Sequence, residues 1–126
     1  MKAYTDLEQS KKLAEILPLE SADMVYVHTT DLEGDEHYDI DFRNNQPLFE
    51  DDISAWSLAA LLNYLREIDF FPNIEADKHS VTMSINYYDE EEARLLAPVH
   101  NIKAKAESFI DACYELIVKY HEQNIL

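Results

Sequence analysis

Gly34 is the only glycine in 126 residues, and that scarcity limits what the chain can build. Glycine enters left-handed backbone without steric cost and lets a chain wrap closely around a phosphate. A chain with one glycine has no glycine-rich loop, so Walker-type and dinucleotide-binding sites are excluded. The glycine falls in Leu32-Glu33-Gly34-Asp35, between two stretches of strand character. Met24–Thr30 is rich in β-branched and aromatic residues. From His37 to Arg43 the pattern alternates, with Tyr38, Ile40 and Phe42 on one side and Asp39, Asp41 and Arg43 on the other. Two such stretches joined where a turn needs positive φ predict a β-hairpin, and Asn44, Asn45 and Pro47 then read as loop.

Helical spacing dominates elsewhere. Thr5 with Glu8 three residues on has the spacing of a capping box, which predicts a helix from about 6 to 17 with Glu8 and Lys12 paired and Pro18 as its stop. Residues 53–66 are apolar nearly all round, and Asp51 and Asp52 supply an acidic helix start. After the Phe70-Phe71-Pro72-Asn73 break, His79 to Tyr88 alternates, with Val81, Met83, Ile85 and Tyr87 facing one way. Arg94–Val99 is expected to form a short fourth strand after a turn at Asp89–Glu92. Residues 102–123 place Phe109, Ala112, Cys113, Leu116, Ile117 and Tyr120 on one helical stripe. The expected architecture is a single α+β domain over residues 1–126 in the order α-β-β-α-β-(β)-α. In it a small antiparallel sheet of three to four strands packs against the helices at 53–66 and at the C-terminus.

Charge narrows the function. The formal net charge is −16, and all of it lies in residues 20–92, where 19 acidic residues face only Arg43, Arg66 and Lys78. Such a surface opposes direct binding to nucleic-acid phosphate or anionic lipid and suits a basic partner. No apolar run approaches the roughly 20 residues that span a bilayer, and the N-terminus has no signal-peptide pattern, so a cytoplasmic location is expected. The single cysteine, Cys113, forms no internal disulfide and reads as a small core hydrophobe.

Three runs, Lys11–Met24, Trp56–Leu62 and Asp111–Ile117 with His121-Glu122 after it, resemble a family of short uncharacterised proteins encoded by bacteriophages and mobile elements of gut anaerobes. The runs cover about a quarter of the chain. The resemblance implies a phage or mobile-element setting and no particular chemistry.

No motif dictates a reaction, and no cofactor or metal is expected. The acidic turn Asp31–Glu36 has its glycine in the fourth place, where an EF-hand loop needs it in the sixth. Asp39 and Asp41 share a strand face at roughly 7 Å, close enough for a metal-dependent hydrolase, but no nucleophile lies nearby in sequence. His28, His37, His79, His100 and His121 have no zinc-ligand spacing. Glu33, Asp35, Glu36, Asp39, Asp41, Glu50, Asp51 and Asp52 could imitate a row of phosphates, or could simply keep the protein dispersed.

The leading expectation is a non-enzymatic acidic binding protein of phage or mobile-element origin that engages a basic host or phage protein through residues 20–92, with nucleic-acid-binding proteins among the candidates. Glu33, Asp35, Glu36, Asp39, Asp41 and Tyr38 are its candidate contacts. The alternative is a small-ligand-binding or sequestering domain with a pocket between sheet and helices, lined by tyrosines and histidines. Pairing between copies through exposed strand edges stays open.

Overall fold

The computed structural model describes residues 2–43, 49–69, 72–87 and 100–124, which form three α-helices and two three-stranded antiparallel sheets, an α+β fold. The chain divides into one unit over residues 3–60 and another over 61–126 with the first two residues.

The first unit opens with α1 (Leu7–Ile16), capped by Asp6. The Asp6 carboxylate accepts the Gln9 N–H at 2.8 Å, and the Gln9 side chain accepts the Asp6 N–H at 3.1 Å. The box therefore sits one residue later than Thr5 and Glu8 suggest, because Thr5 is occupied elsewhere. Its buried hydroxyl pairs with Ser10 Oγ at 2.8 Å and accepts the Trp56 N–H at 3.1 Å. Glu8 approaches Lys11 at 3.8 Å. Leu17 ends the helix before Pro18, and a short 3-10 turn follows at Leu19–Ser21.

The predicted hairpin is present. β1 (Met24–Thr30) and β2 (Glu36–Phe42) pair antiparallel, with Met24 opposite Phe42 and Thr30 opposite Glu36. Gly34 has φ 88, the left-handed backbone the turn required. On the other side of β1 lies β3 (Ile53–Ala55), which gives the order β2-β1-β3. Residues 53–55 were expected to begin a helix and are strand instead. Ser57 decides the boundary: its Oγ accepts the Ala60 N–H at 3.2 Å and opens α2 (Leu58–Ile68), while Asp23 accepts the Ser57 N–H at 2.9 Å. An apolar count along 53–66 does not register a cap formed by a serine inside the run. Trp56, Leu13, Leu17, Met24, Val25 and Ala55 form this unit's core.

In the second unit β4 (Asn73–Ala76), β5 (Val81–Tyr87) and β6 (His100–Ala106) form the sheet β4-β5-β6, and α3 (Phe109–Asn124) packs against β5 and β6. β5 follows its alternation, with Val81, Met83, Ile85 and Tyr87 buried. The C-terminal helix begins at Phe109 and not near 102. Ile102 and Ala104 are buried while Asn101, Lys103 and Lys105 are exposed, a strand period that the adjoining helical stripe obscures. Ser108 Oγ accepts the Asp111 N–H at 3.1 Å and starts the helix. The single sheet of three to four strands is thus two sheets of three. The expected loop at Asn44, Asn45 and Pro47, the turn at Asp89–Glu92 and the strand at Arg94–Val99 lie outside the described residues. No helix among the described residues is long and apolar enough to cross a membrane.

Candidate partner-binding surface

The hairpin turn is fixed by a carboxylate. Asp31 Oδ1 accepts the N–H groups of Glu33 and Asp35, both at 2.9 Å, and the Asp31 N–H donates to the Asp35 carbonyl at 2.9 Å. The acidic tip is therefore a shaped turn that holds Glu33 and Asp35 out in solvent, together with a fully exposed Leu32.

β2 is an edge strand, and of its seven residues only Ile40 is even half-buried. The alternation read in the sequence is there, but its apolar side is not covered: Tyr38 is 37% and Phe42 66% exposed. A one-sided pattern shows which residues share a face and not whether anything packs on that face.

Backbone geometry locates the open edge. Arg43 N–H donates to the Asp23 carbonyl at 3.1 Å and Asp31 N–H to the Asp35 carbonyl at 2.9 Å, so the odd-numbered residues of β2 exchange ladder bonds with β1. Glu36, Tyr38 and Ile40 consequently direct their N–H and C=O groups away from β1. The Phe42 N–H has the same orientation, and Asp41 Oδ1 takes it at 2.8 Å, which closes that end of the edge.

The six candidate contacts share one hairpin and do not share one face. Glu33 and Asp35 are at the tip. Glu36 and Tyr38 lie on the even face, Glu36 at 3.8 Å from His28 Nε2 and Tyr38 edge-on to the His28 ring at 5.3 Å. Asp39 and Asp41 lie on the odd face, where Asp39 accepts from Thr29 Oγ1 at 3.2 Å and sits 3.3 Å from His37 Nε2. Of the longer acidic row, Glu50, Asp51 and Asp52 precede β3, on the far side of β1. Phe42 and Leu32 were missed as surface residues. Their signal was the density of charge around them, since a strand with Glu36, Asp39 and Asp41 among seven residues has little to bury.

No group of three or more His, Cys, Asp or Glu side chains among the described residues could hold a metal ion. Cys113 is buried with its Sγ 3.3 Å from Met83 Sδ, and burial pushes its thiol up to about 12, so it stays protonated. Tyrosines and histidines do gather in the second unit, ring against ring. Tyr87 stacks on His100 at 5.1 Å and meets Tyr120 edge-on at 5.1 Å, and Tyr64 Oη lies 2.8 Å from His121 Nε2. Burial raises the Tyr64 pKa and lowers that of His121, so each favours its neutral form, and the His121 tautomer sets which of the two atoms donates. No protein family, no curated protein and no solved structure matches the chain.

Proposed function

We propose that the chain is a non-enzymatic binding protein whose β1–β2 hairpin engages a basic protein, of the kind that itself binds nucleic acid, in the phage or mobile-element setting its sequence resemblance implies. The observation that carries this reading is the state of β2: an edge strand with six of seven residues exposed, carrying Glu36, Asp39 and Asp41 beside uncovered Tyr38 and Phe42. The outward edge groups of Glu36, Tyr38 and Ile40, which have no backbone partner among the described residues, suit a partner strand added alongside. Carboxylates on the odd face suit lysine and arginine, and the exposed rings suit the faces of guanidinium groups.

A second copy is a poorer occupant of this edge. Antiparallel pairing of β2 with itself would bring together two edges that each carry Glu36, Asp39 and Asp41, and like charges at close range destabilise a sheet. The charge that repels a copy attracts a basic chain. Binding then works by occupancy, with long-range attraction raising the encounter rate and salt lowering it.

The test is capture from a bacterial lysate at low and high salt, with wild type beside a variant carrying Glu33→Lys, Asp35→Lys, Asp39→Lys and Asp41→Lys. All four side chains are exposed, so the variant should keep its circular dichroism and melting behaviour. The reading expects a basic nucleic-acid-binding protein retained by wild type at low salt, lost at high salt and absent from the variant. Equal retention by wild type and variant would sink it.

A further inference from the structure

Helix α1, the turn after it and the approach to β3 leave a cleft of about 330 Å³ in the first unit, lined by Lys11, Ala14, Leu19, Asp52, Ile53 and Ser54. This is at the lower end of small-molecule sites, about 300–1,000 Å³, so the occupant is small. Ala14, Leu19 and Ile53 offer aliphatic surface. Lys11 and Asp52 bring opposite charges to the same cleft without pairing to each other. The ion-pair partner of Lys11 among the described residues is Glu8, at a loose 3.8 Å, and the Asp52 carboxylate accepts the Phe49 N–H at 3.1 Å.

Ser54 supplies an independent observation. It is 2% exposed, and its Oγ is the buried side-chain polar atom that has no hydrogen-bond partner among the described residues. A buried hydroxyl left unmet is costly, and Ser54 is one of the residues that line the cleft. An anion alone would meet the Asp52 carboxylate, and a cation alone would meet the Lys11 ammonium. A molecule with both charges satisfies both.

We propose that this cleft binds a small zwitterion with an aliphatic side chain, of the free α-amino acid class. The ligand carboxylate pairs with Lys11 and its ammonium with Asp52. Its side chain lies on Ala14, Leu19 and Ile53, and Ser54 completes the hydrogen bonding of the polar head. The site uses no residue of the hairpin edge, so it stands or falls apart from the binding function proposed above.

The test is a titration of the full-length, ¹⁵N-labelled protein with L-leucine, followed by amide chemical shifts. The controls are 4-methylpentanoate, which lacks the ammonium, and 3-methylbutylamine, which lacks the carboxylate. The expected result is saturable shifts at Lys11, Ala14, Ile53 and Ser54 with leucine at up to about 10 mM, and binding at least about tenfold weaker for each control. Ser54→Ala should fold with unchanged or higher stability and bind leucine more weakly, whereas Asp39→Lys with Asp41→Lys should bind leucine as wild type does. Absence of a saturable shift with leucine, equal shifts from all three compounds, or undiminished binding by Ser54→Ala would overturn the proposal.

Discussion

Trp56 shows how much of the first unit hangs on single side chains. Its ring is fully buried, its indole N–H donates to Ser21 Oγ at 3.0 Å, and its backbone N–H and carbonyl both bond to Thr5, at 3.1 and 2.9 Å. Trp56→Ala should cost about 3–5 kcal/mol in denaturant unfolding, the usual range for deleting a buried aromatic. A loss below about 1 kcal/mol would show that the site collapses or that the ring is not buried. His121 makes a prediction of another kind. Burial lowers its pKa below the ordinary 6.5, so the unfolded chain binds the proton more readily than the folded one. The stability it contributes is present above the unfolded pKa and is lost as pH falls through the folded value. As pH falls below the ordinary 6.5 the protein should lose stability, and His121→Gln should flatten part of that fall. An unchanged slope in the variant would place the proton uptake elsewhere.

Strand β2 is where the pattern of the sequence and the packing of the chain part company. Phe42 is 66% exposed, so Phe42→Ser should change stability by no more than about 0.5 kcal/mol, as surface substitutions do. A cost near that of a core phenylalanine would mean the edge is covered. Gly34 behaves oppositely: a Cβ there meets nothing within 4 Å, yet its φ of 88 strains any L side chain, so Gly34→Ala should cost about 1 kcal/mol in the same measurement. The hairpin was legible because its signals are local, an alternation on one side and the only glycine at the turn. β5 was legible for the same reason. β3 was not, because Ile53-Ser54-Ala55 is three residues long and runs straight into the apolar stretch of α2. β6 was hidden likewise by the stripe of α3, which begins three residues after it. The acidic character of the candidate surface could be read from composition, but whether its apolar side is covered depends on which strand lies at the sheet edge, and that is set by long-range pairing.

At the scale of the whole chain the charge is lopsided. Residues 3–60 carry fourteen acidic and three basic residues, a formal −11 of the total −16. One of those basic residues, Arg43, donates its guanidinium to the Leu19 carbonyl, at the end of β2 remote from the hairpin turn. The field around the hairpin is therefore strongly negative, which speeds encounter with a basic partner and makes the rate fall with salt. In the proposed binding the affinity has to come from closer contacts, and the edge groups of Glu36, Tyr38 and Ile40, which have no backbone partner among the described residues, are the ones a partner strand would reach first. The most direct measurement is amide hydrogen exchange of the wild-type protein, alone and with a basic protein captured from the lysate as proposed above. Slowed exchange at Glu36, Tyr38 and Ile40 on binding is the predicted result. Full occupancy with these three amides still exchanging at their free rates would contradict the account.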